Sequence, residues 1–151
     1  TGDGSFQLNI QELQTIKHYK LPINIIVLNN DGYLSIRATQ KNFFPGRDCG
    51  TDSSNGVSFP KTESLANAYQ INYVSFTNSE KFNQFIMKQS QNKKVGPQII
   101  EVFCPRDEII IPRSQTIKTP EGKLISAPLS NMAPELSKEK ISKLNDIGLN
   151  L

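Results

Sequence analysis

The 151-residue sequence contains no tryptophan, one histidine and only two cysteines, Cys49 and Cys104. The cysteines lie far apart and outside any CxxC or Cys/His spacing, which argues against a cysteine-based metal site and indicates two reduced thiols. No apolar run approaches the roughly 20 residues that a membrane-spanning helix needs, and no segment resembles a signal peptide. The formal charge of +3 is spread along the chain without a block of one sign. We therefore expect a cytoplasmic protein with neither a nucleic-acid nor a membrane partner.

The apolar segments of the chain alternate between strand-like and helix-like patterns. Strands are predicted at residues 23–28, 72–76 and 97–104, and helices at 8–19, 33–44, 62–69 and 79–91. The segment "INIIVL" is continuously apolar and rich in β-branched residues, which is typical of a parallel strand buried on both faces. Strands alternating with helices predict an α/β fold, a three-layer parallel sheet flanked by helices, over residues 1–104.

The chain changes character after residue 104, where prolines become frequent and periodicity is lost. This composition predicts an extended C-terminal tail over residues 105–151, wrapping over the domain or a neighbour and ending in a short helix at about 138–145. At the other end, the chain opens directly on "TGDGSF" with no preceding strand or helix. We expect that start to be an N-terminal truncation of a longer protein.

The stretch "IIVLNNDGYLSIR" has two incompatible local interpretations. Asn, Asp and Gly tolerate positive φ, so an Asn-Asp-Gly turn between apolar segments is a strong signal for a hairpin. The alternative is a strand followed by a ligand-binding loop, because ligands of parallel sheets bind at the carboxyl ends of strands. One helix and one strand separate "GDGS" from "NNDG", which is a crossover returning to the same sheet edge. Asp3 and Asn30 can therefore face one ligand.

The residue types in these two loops suit a magnesium ion bound to phosphates. Mg²⁺ prefers octahedral oxygen ligands, usually one or two side chains together with substrate phosphates. Asp3 supplies a carboxylate, Asn30 an amide oxygen and the backbone near Gly32 a carbonyl. Gly2 and Gly4 allow the backbone to approach the phosphates closely, Ser5 donates hydrogen bonds, and the helix dipole favours the anion. Tyr33 follows the loop directly, where packing on the cofactor and packing in the core are equally plausible.

The segment "GDGSFQLNIQELQTIKHYKLPINIIVLNN" resembles the thiamine-diphosphate signature of decarboxylases and acetolactate synthases, in its acetolactate synthase form. "GPQIIEV" and "PLSNMAPEL" resemble later parts of such chains. The resemblance implies that Asp3, Asn30 and Gly32 bind Mg²⁺ and that Gly4 and Ser5 contact the diphosphate of the cofactor. It implies an enzyme that decarboxylates a 2-oxo acid such as pyruvate and transfers the two-carbon unit to a second carbonyl.

The segment "SIRATQKNFF" departs from the resemblance at one position. Acetolactate synthases commonly have Gln-Trp-Gln-x-x-Phe here, and Thr39 stands where the tryptophan would be, although Gln40 and Phe43 match. The loss of that aromatic wall predicts an acceptor pocket, formed with Gln40 and Arg37, for a larger or more polar substrate. A carboligase acting on a keto-sugar in surface-polysaccharide synthesis, a simple 2-oxo-acid decarboxylase and a non-catalytic binding module therefore remain alternatives.

The resemblance also implies that part of the active site lies outside this sequence. The essential glutamate of the family belongs to an N-terminal domain and acts on cofactor held by a partner subunit. We therefore expect no catalytic residue in this chain, no turnover from it alone, and a homodimer or homotetramer with the active site at the subunit interface. The resemblance to acetolactate synthases in particular implies FAD as a candidate cofactor of the full-length chain.

Overall fold

The computed structural model describes residues 1–90, 96–108, 111–127 and 132–146. The chain divides into two compact units, Thr1–Glu108 and Ile109–Leu151. Two parts of the sequence predictions lie outside the described residues: residue 91 at the end of a predicted helix, and residues 128–131 of the "PLSNMAPEL" segment. No described helix has the length and apolar character needed to cross a bilayer.

The first unit is built on a parallel sheet. Its strands are β1 (Asn24–Asn29), β2 (Asn72–Phe76) and β3 (Gln98–Phe103), and β3 lies between the other two. Both pairings are parallel, with Val27 of β1 and Ser75 of β2 opposite Glu101 of β3. The prediction of a parallel α/β sheet is confirmed. Residues 29–33 lead from β1 into a helix instead of joining two antiparallel strands, so they form no hairpin.

The helices of the first unit are α1 (Asp3–Phe6), α2 (Glu12–His18), α3 (Leu34–Phe43), α4 (Thr62–Ala68) and α5 (Ser79–Ser90), with a 3₁₀ turn at Gln7–Asn9. Three of them, α3, α4 and α5, lie close to their predicted positions, and the other two precede the first strand. Helix α1 contacts β1, whereas α4 and α5 contact β2. Phe76 of β2 packs against Phe82 and Phe85 of α5, with ring centroids 5.8 and 5.1 Å away.

The first helical segment differs from its prediction as one helix over residues 8–19. It begins at Asp3, after Gly2 in an extended conformation, and α2 starts only at Glu12. Ile10 and Gln11 keep helical dihedral angles, so the path from Asp3 to His18 is nearly continuous. Apolar periodicity missed the first turn because Asp-Gly-Ser contributes no apolar residue to it.

The core of the first unit lies where α1, α2 and α4 meet the sheet. It comprises Phe6, Leu13, Val27, Ala66, Ile71 and Ile99. Removing a side chain such as leucine or isoleucine from water stabilises a fold by about 1.5–3 kcal/mol. This packing fixes the helices against the strands, and with them the loops at the strand ends.

Residues 1 and 2 lie beside β1 and determine where Asp3 is placed. The N–H of Leu28 donates to the carbonyl of Thr1 at 2.8 Å. The amino group of Thr1 donates to the carbonyl of Ile26 at 2.9 Å. Gly2 forms a parallel bridge with Leu28. Asp3 therefore lies at the carboxyl end of β1, beside the loop that follows this strand.

The second unit contains short antiparallel strand pairs and a helix. Strand β4 (Arg113–Ser114) pairs with β7 (Met132–Ala133), β5 (Thr116–Lys118) pairs with β6 (Leu124–Ser126), and α6 spans Lys138–Asp146. The helix lies close to its predicted position. The strands were not predicted, because two or three residues are too few for an alternating pattern to show.

Candidate functional site

Asp3 joins the two glycine-containing loops through its carboxylate. Its Oδ1 accepts a hydrogen bond from the N–H of Gly4 at 2.9 Å, and its Oδ2 accepts one from the N–H of Gly32 at 2.8 Å. The residue is 6% exposed. A carboxylate oxygen can accept more than one bond, so these two contacts leave capacity for a cation. The structure therefore brings together the loops that the sequence predicted would face one ligand.

The loop after β1 is held in a turn with two consecutive residues at positive φ. Asp31 has a φ of 58° and Gly32 a φ of 124°. The side-chain oxygen of Asn29 accepts the N–H of Asp31 at 3.1 Å, and the N–H of Tyr33 donates to the carbonyl of Thr51 at 2.9 Å. The loop is thus anchored at both ends, by the last residue of β1 and by a neighbouring loop.

Asn30, between these anchors, has a buried side-chain oxygen without a hydrogen-bond donor among the described residues. Buried polar atoms nearly always have a partner, so an orphaned acceptor calls for an explanation such as an ion. An amide oxygen is a suitable ligand for a hard cation. The carbonyl of the nearby Gly32 accepts a 3.2 Å bond from the N–H of Leu34. The residues present therefore fit a magnesium ion.

Gly4 and Tyr33 are in close contact. A Cβ atom added at Gly4 would lie 2.5 Å from Cε1 of Tyr33. The Tyr33 ring also packs edge-on against Phe59, with ring centroids 5.4 Å apart. Ser5, the next residue of α1, is exposed, so its hydroxyl can reach a bound anion. Gly4 thus lets the tyrosine ring lie directly against the first turn of α1.

A cavity of about 280 Å³ opens beside these loops. Asp3, Gln7, Asn29 and Asp31 line one part of it, and residues 53 and 57–62 line the rest. Among the described residues, no cluster of three or more His, Cys, Asp or Glu could bind a metal by itself. The cavity therefore offers space for part of a ligand beside Asp3, while the other two candidate metal ligands, Asn30 and Gly32, lie outside its lining.

Residues 1–102 match the sequence model of a family described as "Thiamine pyrophosphate enzyme, C-terminal TPP binding domain". The chain belongs to the thiamine pyrophosphate enzyme family. Thiamine pyrophosphate, TPP, is another name for thiamine diphosphate, so the resemblance found in the sequence is confirmed. The match covers the whole parallel sheet except the last residue of β3.

Curated relatives of this TPP-binding domain are acetolactate synthases. The enzyme of Arthrospira platensis is 33% identical over 112 residues, which are 74% of this chain and 19% of that protein. The acetolactate synthase large subunit of Porphyra purpurea is 33% identical over 112 residues, which are 74% of this chain and 18% of that protein. The chloroplastic acetolactate synthase 3 of Brassica napus is 30% identical over 115 residues, and the match covers 74% of this chain and 17% of that protein. The chain thus spans less than a fifth of the length of these relatives.

A solved structure shows the same fold as this TPP-binding domain. It is the Rhodococcus jostii RHA1 thiamine diphosphate-dependent 4-hydroxybenzoylformate decarboxylase, with a TM-score of 0.57 and 30% sequence identity. The superposition covers 72% of this chain and 19% of that chain. The predicted fold class, a parallel sheet flanked by helices as in TPP enzymes, is confirmed.

The three residues predicted for the acceptor pocket of the TPP enzyme lie on α3 but in different surroundings. Thr39 is exposed, and its hydroxyl donates to the carbonyl of Ser35 at 3.0 Å. Gln40 exchanges two hydrogen bonds with the backbone of Cys49, at 2.8 and 3.2 Å. The Thr39 side chain is therefore accessible to a substrate, whereas the Gln40 amide is engaged by the backbone of Cys49.

Arg37 holds the loop after β1 from the other side. Its guanidinium donates to the carbonyls of Asn30 and Asp31 at 2.8 Å each. It also donates to the carbonyl of Arg106 and lies 3.5 Å from the carboxylate of Asp107. Fixing these carbonyls keeps the backbone of the candidate metal loop in one conformation.

Asp52 of this TPP enzyme is a buried acid that the sequence analysis missed. Its carboxylate accepts hydrogen bonds from the hydroxyl and N–H of Ser54 and from Arg106. The Ser54 hydroxyl makes the largest contribution to lowering the pKa of Asp52 from 3.8 to about 2, and burial opposes it. The pattern "DSSN" is a signal for such a turn, because Asp and Asn side chains bond to the backbone two residues on.

Glu101 in the middle of β3 was missed as well, although its position carried a signal. It is 3% exposed, and it interrupts the apolar strand "QIIEVF" with a charge. Charged residues are almost never fully buried unless they are paired. A single acid within an otherwise apolar predicted strand is therefore a signal for a specific hydrogen-bonded role.

Proposed function

We propose that residues 1–108 anchor the diphosphate of TPP through a magnesium ion bound by Asp3, Asn30 and the carbonyl of Gly32. The observation that carries this proposal is the buried side-chain oxygen of Asn30, which has no hydrogen-bond partner among the described residues. Asn30 belongs to the loop that the Asp3 carboxylate joins to the first turn of α1. Mg²⁺ usually binds one or two protein side chains together with phosphate oxygens. One carboxylate suits a cation that already faces a diphosphate.

The remaining contacts to the diphosphate come from the first turn of α1 and from the turn into α3. Gly2 and Gly4 contribute no side chain of their own, although the Tyr33 ring covers Gly4, and Ser5 offers its hydroxyl and its N–H. The first N–H groups of a helix have no carbonyl partner within the helix, and the N–H of Ser5 can bind an anion in this way, whereas the N–H of Gly4 donates to Asp3. Tyr33 closes the site on one side by packing against Gly4.

At the level of the whole enzyme, we place this domain in an acetolactate synthase-like carboligase. Bound TPP supplies an electron sink for decarboxylation of a 2-oxo acid such as pyruvate and for transfer of the two-carbon unit to a second carbonyl. The residues of this chain hold and orient the diphosphate end of the cofactor. The proposal rests on the 30–33% identity to acetolactate synthases. It includes a homo-oligomer that completes the active site with a glutamate from another domain, and FAD as a further candidate cofactor.

A second candidate is a carboligase with a different acceptor, such as a keto-sugar. The observation that favours it is Thr39, a small and exposed side chain where acetolactate synthases commonly have tryptophan. A simple 2-oxo-acid decarboxylase is the third, supported by the structural similarity to a 4-hydroxybenzoylformate decarboxylase.

Titration calorimetry of TPP into the full-length protein, with and without Mg²⁺, tests the anchor. We expect the wild-type protein to bind TPP only when Mg²⁺ is present. Asp3→Ala and Asn30→Ala each remove a metal ligand. Each should therefore weaken Mg²⁺-dependent binding by more than the roughly 10–100-fold that loss of an outer-sphere partner costs.

Asp48→Ala provides the matched control, because Asp48 is an exposed acid of the loop at 45–60. Its affinity for TPP should equal that of the wild-type protein. Unchanged affinity of Asp3→Ala or of Asn30→Ala would contradict the metal assignment.

A further inference from the structure

Glu101 is a buried carboxylate in the central strand, outside the proposed metal site. Its Oε1 accepts hydrogen bonds from the side-chain amide of Asn29 at 2.8 Å and from the hydroxyl of Thr62 at 2.7 Å. Its Oε2 accepts a bond from the hydroxyl of Tyr73. These donors belong to three elements, the end of β1, the start of α4 and the edge strand β2. The carboxylate therefore ties two segments that line the cavity, the end of β1 and the start of α4, to the edge strand β2.

Hydrogen bonds alone compensate the buried charge within the part of the chain that the structure describes. No described lysine, arginine or histidine forms an ion pair with Glu101. Burial raises the pKa of Tyr73 to about 12, and its hydrogen bond to Glu101 acts in the same direction. The tyrosine hydroxyl thus remains a donor at neutral pH. A buried acid without such donors would be strongly unfavourable, so the network has to stay intact.

The network continues from Glu101 into the candidate metal loop. Asn29, which donates to Glu101, accepts the N–H of Asp31 with the other end of its amide at 3.1 Å. The carboxylate thereby fixes which way the amide faces, because its nitrogen has to point at Glu101 and its oxygen at the loop. Asn29 and Thr62, both bonded to Oε1, also line the cavity. Among the described residues, Oε2 accepts a hydrogen bond only from Tyr73, and Tyr73 does not line the cavity.

We infer that Glu101 is a positioning residue, which orients the metal loop through Asn29 and the start of α4 through Thr62. This inference rests on the proposed function, since it concerns how the same loop is prepared for Mg²⁺ and TPP. Glu101 touches neither group. It acts by keeping the Asn29 amide in the one orientation that holds the N–H of Asp31, and with it the turn that presents Asn30 and Gly32.

The test measures Mg²⁺-dependent TPP affinity by titration calorimetry, together with thermal stability, in the full-length protein. Glu101→Gln replaces one acceptor oxygen by a donor and should weaken affinity about 10–100-fold, as loss of an outer-sphere partner does. Tyr73→Phe is the matched control, because it removes the bond to Oε2 and leaves both bonds to Oε1. It should lower thermal stability but keep affinity within about twofold of the wild-type protein.

A double-mutant cycle with Asn29→Ala separates a positioning role from general destabilisation. If Glu101 acts through Asn29, Glu101→Gln in the Asn29→Ala background should cause little further loss of affinity, because contacting residues are coupled. If Glu101→Gln does not fold, Asn29→Ala is tested alone, and it should weaken Mg²⁺-dependent TPP affinity by about 10–100-fold.

Two results would overturn the inference and can be told apart. A wild-type protein that does not bind TPP with Mg²⁺ would overturn the proposed function and this inference together. A wild-type protein that binds, with Glu101→Gln and Tyr73→Phe equal in affinity, would show that Glu101 serves stability alone. Additive losses in the cycle would likewise contradict action through Asn29.

Discussion

At the level of single residues, Gly32 combines an unusual backbone conformation with a very close neighbour. Its φ of 124° lies outside the region that side chains readily adopt, and an added Cβ would lie 2.1 Å from the carbonyl oxygen of Thr51. The same carbonyl accepts the N–H of Tyr33, so it cannot move away without breaking that bond. The glycine is therefore required by packing as well as by conformation.

Gly32→Ala should destabilise the protein through both effects. The backbone strain at this φ costs about 1–3 kcal/mol, and the overlap with Thr51 adds about 1–3 kcal/mol, as overpacking does. The shift of the urea midpoint of unfolding measures the sum.

Gly46→Ala is the control for the conformational part of this loss. Gly46 has a φ of 79°, and an added Cβ would meet nothing within 4 Å. Gly46→Ala should therefore lower the free energy of unfolding by only about 1–2 kcal/mol. Equal losses for the two variants would show that the contact with Thr51 is relieved at little cost.

The candidate metal ligands could be predicted from the sequence, whereas the residues that support them could not. Asp3 and Asn30 stand at a fixed separation, and the order of strands and helices places both at one sheet edge. Arg37 and Glu101 act through contacts with residues 106 and 62, far away in sequence. Local patterns carry no information about such pairs, because only the fold brings them together.

At the level of elements, Asp52 is a buried residue that links the long loop at residues 45–60 to its surroundings. The buried carboxylate bonds to Ser54 within the loop and to Arg106 after β3, and it lies 3.8 Å from the guanidinium of Arg37. Sixteen residues without helix or strand usually indicate function or mobility. In this structure the loop is tied by one acid to the arginine that holds the metal loop.

This arrangement makes the stability of the loop sensitive to acid. Hydrogen bonds from Ser54, with the charge of Arg106, lower the pKa of Asp52 from 3.8 to about 2. A group with a lowered pKa contributes stability that is fully present above 3.8 and is lost as the pH falls through about 2. Asp52→Asn should therefore lower the melting temperature at neutral pH, and the difference from the wild-type protein should shrink below about pH 4.

Thermal melting at a series of pH values measures this difference. Asp48→Asn, an exposed acid of the same loop, should melt like the wild-type protein at neutral pH. A difference between Asp52→Asn and the wild-type protein that stays constant down to about pH 2 would contradict the role of the charge.

The secondary structure was predictable where segments are long and periodic, and it was missed where they are short. β1, α3 and α5 match their predictions closely, because apolar periodicity or continuous apolar character extends over the whole element. The first turn at Asp3 was missed because it contains almost no apolar residue. The strand pairs of the second unit were missed because pairing partners, and not patterns, define strands of two or three residues.

At the level of the whole molecule, the family is shown and the reaction is a proposal. This chain matches acetolactate synthases over 17–19% of their length, so most of each of those proteins lies outside the comparison. The described domain holds candidate ligands for the diphosphate end of TPP. Thr39 remains a predicted residue of the acceptor pocket.

Incubation of the full-length protein with pyruvate, TPP and Mg²⁺, followed by mass spectrometry, addresses the reaction. We expect acetolactate, since the relatives at 30–33% identity are acetolactate synthases. Thr39→Trp restores the aromatic wall that those enzymes commonly have. It should favour the small acceptor pyruvate over keto-sugars by about 10–200-fold, the range that hydrophobic pocket contacts provide. Carbon dioxide release without acetolactate would contradict the synthase assignment, and the mass of any adduct formed with keto-sugars added would then identify the acceptor class.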